Sequence, residues 1–171
     1  LQDRDEEVRE GAARVIGGLR VTTAGDALVA ALNDKSTPVA TMAMRSLGDI
    51  KAWQALQALT DQFTYFEGKG PRAEAAFDAL ARIAHASSQP LFLQQLASSN
   101  ANLRRLAAEG LARSGNREGA QQAGTALAND KETDVLMAGA FAAVVGSGAA
   151  SGGVTTLVSA LDQGAFHEQA M

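Results

Sequence analysis

The chain has 171 residues, with 15 Lys and Arg against 19 Asp and Glu and a formal net charge of −4. This balance argues against nucleic-acid binding, which needs an excess of cations along one face. Cysteine is absent, which excludes disulfides, thiolate metal ligands and a cysteine nucleophile. No apolar run has the length of a membrane span, and the opening Leu-Gln-Asp-Arg-Asp is not a signal peptide.

A repeat of about 31 residues runs through the chain. Its boundaries are six large apolar residues spaced by 31, 31, 33, 31 and 34 positions: Leu1, Leu32, Phe63, Leu96, Leu127 and Leu161. This period is typical of solenoids, which stack one supersecondary unit many times. The sequence predicts a single domain over 1–171, with repeats at roughly 1–31, 32–62, 63–95, 96–126 and 127–160 and the start of another at 161–171.

Each repeat is predicted to contain two helices. The longer one has apolar residues at i, i+4, i+8 and i+11, beginning at Val8 in the first repeat. A small residue in that stripe, which lets a neighbouring helix approach closely, recurs as Ala12, Ala43, Ala76, Ala107 and Gly139. The shorter helices are predicted at 24–32, 52–61, 89–97, 118–128 and 153–161. Because no stretch alternates as a strand does, the predicted fold class is all-α.

Turn signals separate these helices. The polar segment 34–38 contains Thr37 as a predicted N-cap and Pro38 at the first helical position. Glycines fall where the longer helices are expected to stop, and glycine is common at the C-terminal end of a helix. They are Gly17, Gly18, Gly48 and Gly115.

Residues 1–17 and the pattern that repeats them resemble HEAT repeats. The second copy reads Leu32-Asn33-Asp34 and continues with Val39, Ala43, Leu47, Gly48 and Asp49. More narrowly, the pattern is similar to the short HEAT-like repeats of phycobilisome lyases and many bacterial scaffold proteins. The resemblance covers essentially the whole chain and implies a right-handed α-α superhelix. It leaves function open, because function is determined by the residues on the solenoid surface.

Arginines on the longer helices are candidates for binding a protein partner, since guanidinium groups suit bidentate capture of carboxylates. The position of Arg14 carries Arg45, then Asp78, then Glu109 in later repeats. This change of sign favours salt bridges between repeats or a bipolar binding face over a phosphate track. The candidate arginines are Arg9, Arg14, Arg45, Arg104 and Arg105.

The fifth repeat is unusually apolar. It places Leu136 and Met137 where other repeats have charged residues, and Phe141 at the position of Arg14. An exposed apolar patch of this kind indicates a protein partner or self-association. The alternative is that further C-terminal residues cover it, or that this helix is buried on more than one side.

The connection 63–71 concentrates aromatic residues and is a second candidate contact surface, with Tyr65 as an anchor. The alternative is that Phe63 and Phe66 extend the preceding helix and pack inward, which leaves only 68–71 as the turn. We expect this alternative for Phe63, whereas Tyr65 is open.

His167-Glu168 is the remaining candidate, as a pair of metal ligands. Similar His-Glu pairs ligate iron in deoxyhypusine hydroxylase, a HEAT-like di-iron enzyme. The matching positions of earlier repeats have no histidine, and one pair cannot build a two-metal site. We therefore predict no metal and no cofactor.

Three functions follow, in this order. The first is a protein–protein interaction scaffold, the second an accessory or lyase-like subunit acting on a tetrapyrrole-carrying protein, and the third a metal-dependent hydroxylase. An enzyme is not favoured, no membrane partner is expected, and the predicted location is the cytoplasm. Because the chain begins within a repeat and ends in part of another, we expect a fragment of a longer repeat protein.

Overall fold

The structure is a computed structural model that describes residues 1–148 and 152–162. In these residues the chain is α-helical, with short 3-10 turns and no β-strand. The helices are α1 (Glu6–Gly18), α2 (Gly25–Ala31), α3 (Thr37–Asp49), α4 (Leu56–Tyr65), α5 (Gly70–Ile83), α6 (Gln89–Gln95), α7 (Ala101–Arg113), α8 (Arg117–Ala126), α9 (Thr133–Ser147) and α10 (Gly152–Asp162). The odd-numbered helices are the predicted longer ones and the even-numbered helices the shorter ones, so the all-α fold of two-helix repeats is confirmed.

The helices divide into two compact units, Leu1–Ser88 and a second that begins at Gln89. In the first unit α3 packs between α1 and α5, with α2 against α3 and α4 against α5. In the second unit α9 packs against α7, α8 and α10, and α6 packs against α7. That both units form the single domain expected from the sequence stays a prediction.

The predicted apolar stripe is buried in α3 and α7, whereas in α1 its first and last residues, Val8 and Leu19, are 51% and 73% exposed. In α3 the stripe residues Val39, Ala43 and Leu47 have no exposed surface. In α7 the equivalents Leu103, Ala107 and Leu111 are at most 3% exposed. The stripe therefore places the polar faces of these helices outward, where the candidate site residues are found.

Glycines inside the long helices allow close packing and do not terminate them. Gly17 and Gly48 were predicted to end α1 and α3, but both lie within the helices. A Cβ on Gly17 would lie 2.8 Å from Cβ of Ser46, and one on Gly48 would lie 2.9 Å from Cδ of Arg82. The prediction was wrong because helix contact, not chain reversal, requires these glycines.

Each of the first four long helices is followed by a residue in the left-handed conformation. The residues are Arg20, Lys51, Ala84 and Gly115, with φ of 51°, 54°, 55° and 75°. Of the glycines predicted as stops, Gly115 takes this conformation and Gly18 is the last residue of α1. The turn before α3 differs from the prediction in a similar detail. Ser36 is the N-cap, and Thr37 is the first helical residue.

Candidate functional site

Arg9 is an internal link between the first two long helices. It is 5% exposed, and its Nε and Nη2 donate to the two carboxylate oxygens of Asp34 at 2.7 and 2.9 Å. Its Nη1 donates to the carbonyl of Asp3 at 2.9 Å and to that of Arg4 at 3.1 Å. The guanidinium of this predicted binding residue is therefore occupied by the segment before α1 and by the turn before α3.

Arg104 repeats this arrangement in the second unit. Its Nε and Nη2 donate to the carboxylate of Asp130 at 2.7 and 2.9 Å, and its Nη1 donates to the carbonyl of Ser98 at 2.9 Å. In both places the guanidinium hydrogen bond lowers the pKa of the aspartate below its usual 3.8. The Arg9–Asp34 and Arg104–Asp130 pairs, here called the staples, join one long helix to the turn before the next. Because the guanidinium groups of Arg9 and Arg104 are held inside the chain, these two residues do not form part of a binding surface.

The other candidates of the first unit are exposed. Arg14 pairs with Glu10 one helical turn away, whereas Arg45 makes no ion pair within the described residues. Tyr65 is 80% exposed and meets the ring of Phe66 edge-on, with the ring centroids 4.9 Å apart. Arg14 and Arg45 lie on long helices and Tyr65 ends α4, a shorter helix.

Phe63, in the same segment as Tyr65, packs inward as predicted. It is 5% exposed, and its ring lies 4.9 Å from that of Phe77 between centroids. Helix α4 continues to Tyr65 and α5 begins at Gly70, so the connection is only four residues long. This segment is an ordinary turn with one exposed aromatic side chain.

Charged residues of the long helices form ion pairs, most of them between positions four apart on one helix. In the first unit Arg82 bridges two helices, with Nη1 3.0 Å from the carboxylate of Asp49 on α3 and Nε 2.7 Å from that of Asp78 on α5. In the second unit Glu109 accepts from both Arg105 and Arg113 of α7, the latter at 2.9 Å. The prediction of salt bridges between repeats at the position of Arg14 and its equivalents was wrong, because Arg14, Asp78 and Glu109 pair within their own helices. The bridge from one repeat to the next is that of Arg82 with Asp49.

A groove of about 670 Å³ lies beside that second set of charges. It is lined by Arg105, Glu109 and Arg113 of α7, Met137 and Phe141 of α9, and Leu157 of α10. We call it the α7–α9–α10 groove. Phe141 is 45% exposed. Three apolar side chains thus lie opposite a charged wall in a single concavity.

The α7 wall of the groove has two guanidinium groups and one carboxylate, and Asp134 of α9 adds a second carboxylate to the lining. Arg105 and Arg113 share the single carboxylate of Glu109. The side chain of Arg113 is 43% exposed and that of Glu109 only 20%, so a guanidinium is the more accessible group. Because a guanidinium has five donors, both arginines can bind a further carboxylate without breaking the pairs with Glu109.

Leu136 lies on a different side of α9 from Met137 and Phe141. It lines a second cavity of about 560 Å³ with residues of α8 and α10, including Gly124 and Gly153. Successive residues of a helix are separated by about 100°, whereas positions four apart share a face. The surface expected from Leu136, Met137 and Phe141 together is therefore divided, and only Met137 and Phe141 join Arg105. Sequence reasoning missed Leu157, which shows no distinctive signal because it belongs to another helix.

The described residues offer no alternative metal centre. Within 1–148 and 152–162, no three His, Cys, Asp or Glu side chains form a group that could hold a metal ion. His167 and Glu168, the predicted weak metal candidates, lie outside the described residues. In the same ranges no helix combines the length and apolar character needed to cross a membrane.

Repeated two-helix units, small residues at helix crossings and inter-repeat ion pairs define an α-helical repeat protein. Comparison with known families specifies the class, because residues 1–67 match the model of HEAT repeats. Residues 1–67 are therefore similar to HEAT repeats, as the sequence predicted. A comparison with curated proteins found no match.

Two solved structures extend this fold assignment beyond residue 67. One is the complex of CpcE and CpcF of phycocyanin lyase from Nostoc sp. PCC7120, with a TM-score of 0.71 and 22% identity over 86% of this chain. This chain spans 62% of the length of the matched lyase chain. The other is an engineered protein, with a TM-score of 0.58 and 20% identity over 95% of this chain and 82% of that one. At these identities the likeness concerns the fold, which agrees with HEAT-like repeats of the phycobilisome lyase type.

Proposed function

We propose that the chain is a protein-interaction module and that its α7–α9–α10 groove binds a segment of another protein. The observation that carries this proposal is the half-exposed Phe141 beside Met137, at positions where the neighbouring helix α7 has charged residues. An aromatic side chain in a groove with an arginine at its rim has the composition of an interface hot spot.

The size of the groove favours a short segment of the partner. A volume of about 670 Å³ accommodates a few side chains and not a folded domain. An amphipathic helix would place apolar residues one turn apart against Met137, Phe141 and Leu157. A carboxylate on its flank would meet Arg113. The partner we expect is therefore an amphipathic helix with a carboxylate placed to meet Arg113.

The comparison with solved structures supports a protein partner in general terms. The lyase structure that this chain resembles is described as a complex of CpcE and CpcF, so a chain of this fold is found there in an assembly with another protein. The chemistry of the groove supplies the more specific part of the proposal.

Affinity capture with two matched variants tests the proposal. The groove variant is Met137→Ser with Phe141→Ser, and the control is Leu136→Ser, which alters the adjacent residue on the other side of α9. A protein captured from native lysate by the wild type and the control, and lost with the groove variant, supports the proposal. Equal capture by all three proteins contradicts it.

A lyase-like accessory role in handling a tetrapyrrole is the second candidate. In its favour, the groove has the volume of a small-molecule site and combines apolar side chains with two guanidinium groups that suit ligand carboxylates. The resemblance to the phycocyanin lyase structure agrees with it at the level of the fold. Visible absorbance that co-purifies with the wild type and disappears in the groove variant favours this candidate over a peptide-binding module.

A further inference from the structure

Helix α1 exposes an apolar stripe on the side away from α3. Val8 is 51% exposed, Val15 is 57% and Leu19 is 73%. With Ala12 these residues are spaced by four, three and four positions, which is the spacing of a coiled-coil seam. We call these four residues the α1 seam. Three large exposed side chains in such a line indicate a helix-binding surface.

The equivalent positions of α3 show that the repeat normally covers this face. They are Val39, Ser46 and Ile50, which are 0%, 1% and 7% exposed. The residue that corresponds to Val15 is small in every later long helix, where it is Ser46, Ala79, Gly110 and Ala142. A valine at this place does not suit the close stacking of one repeat on another. We therefore look for another occupant of the α1 seam.

Two glycines beside the seam face open space within the part of the chain that the structure describes. A Cβ on Gly11 or Gly18 would meet no atom within 4 Å, in contrast to Gly17 on the opposite side of α1. Each lies three positions after a valine of the seam, so ridges and hollows alternate along α1. A surface of this kind is complementary to its own copy, since the valines of one helix fit the hollows of another.

The charges of α1 fix the direction of such a pairing. Its start is acidic, with Glu6 and Glu7 in the first turn, whereas Arg20 follows its end. Neither Glu7 nor Arg20 forms an ion pair within the described residues, and both are exposed. An antiparallel pair that aligns Val8 with Leu19 brings Glu7 of one copy beside Arg20 of the other. A parallel pair would bring like charges together.

We propose that two copies of this chain associate through antiparallel pairing of their α1 seams around a two-fold axis. The interface differs from the α7–α9–α10 groove and does not depend on the function proposed for that groove. Each copy contributes the same apolar ridge and the same opposite charges, which is the requirement for a closed dimer. The free acidic and basic ends of α1 make the association sensitive to salt.

Sedimentation equilibrium over a dilution series tests the proposal. The wild-type mass is expected to rise with concentration from 17.6 kDa towards twice that value. Val15→Glu with Leu19→Glu should give a monomer with unchanged helical circular dichroism. The control Trp53→Glu, which changes another exposed apolar residue of the first unit, should still dimerise. A wild-type mass that stays at 17.6 kDa up to about 1 mM protein overturns the proposal.

Charge reversal tests the direction and location of the pairing. Glu7→Arg and Arg20→Glu should each weaken the dimer about tenfold, and the double variant should recover most of that loss. A double variant that is as weak as the singles overturns the antiparallel arrangement. The groove variant Met137→Ser with Phe141→Ser should dimerise like the wild type. Loss of the dimer in the groove variant would assign self-association to the fifth repeat and overturn the α1 seam.

Discussion

Helices α7 and α9 pack side by side and occupy the same place in successive repeats, yet they present different surfaces. On α7, Arg105 and Arg113 are neutralised in part by Glu109 between them. On α9 the positions of Arg105 and Glu109 hold Met137 and Phe141, which remain partly exposed. The difference shows that the repeat determines the backbone and the core, while two side chains per helix decide whether the outer face is closed by ion pairs or open to a partner.

The largest expected effect tests the core that the two helices share. Leu111 has no exposed surface, so Leu111→Asp buries a charge without a partner and should lower the free energy of unfolding by more than about 4 kcal/mol. Urea unfolding followed by circular dichroism measures this change. The control Leu93→Asp alters a side chain that is 37% exposed and should cost less than about 1 kcal/mol. Equal effects of the two changes would show that the register of α7 is wrong.

The next change converts the face of α9 into that of α7. Met137→Arg with Phe141→Glu reproduces the charge pattern of Arg105 and Glu109, and places an ion pair where the apolar surface was. Partner affinity should fall by at least about thirtyfold, the loss expected for a hot spot of about 2 kcal/mol. Thermal unfolding should shift by only a few degrees. If this variant binds as the wild type does, the contrast between α7 and α9 has no functional meaning.

The staples are present at α1 and α7, and they make stability depend on pH. Hydrogen bonds from the paired guanidinium groups hold the pKa of Asp34 and Asp130 below 3.8 in the folded chain. The unfolded chain therefore takes up protons first as the pH falls, and the stabilisation present above about pH 4 is lost as the pH falls through the folded pKa. Urea midpoints measured from about pH 5 to pH 3 should fall steeply.

Asparagine variants identify the carboxylates responsible for that pH dependence. Asp130→Asn should lower stability at neutral pH and flatten the decline in acid, because the charged partner of Arg104 is already absent. The control is Asp61→Asn, which changes an exposed carboxylate that is hydrogen-bonded to Gln57. Its stability should depend on pH as that of the wild type does. An unchanged slope in Asp130→Asn would contradict the role of the staple.

The smallest expected effect concerns the ends of α5 and α7. Ala84 and Gly115 hold equivalent left-handed positions, with φ of 55° and 75°. Ala84→Gly should stabilise the chain by about 0.5–1 kcal/mol, and Gly115→Ala should destabilise it by a similar amount. Chemical denaturation of both variants measures the two changes in the free energy of unfolding. Changes of the same sign would contradict this conformational account.

The sequence predicted the features that recur in every repeat. It did not predict features that depend on contacts between residues far apart in the chain. Period and stripe determine the helices, and the inward position of Phe63 followed from its place in the repeat. The burial of Arg9 could not be predicted, because its partner Asp34 lies 25 residues away and an arginine at a helix start looks solvent-exposed in sequence. Gly17 and Gly48 were assigned to helix ends for the same reason, since the helix that approaches them belongs to the next repeat.

The candidate site was predictable only in part. The apolar substitution of charged positions singled out Met137 and Phe141, which the structure places in one groove with Arg105. Including Leu136 was an error of helix rotation, since one residue changes the facing direction by about 100°. Leu157 comes from a separate helix, and only the packing of α10 on α9 brings it to the groove.

Site-specific photocrosslinking from α9 tests the central claim most directly. A photoreactive phenylalanine analogue at position 141 reports on the groove, and the same group at position 136 reports on the opposite cavity. We predict a crosslink to one partner protein from position 141, with none from position 136, and its suppression by Arg105→Glu with Arg113→Glu. Crosslinking from position 136 alone, or equally from both positions, would contradict the assignment of the α7–α9–α10 groove as the binding site.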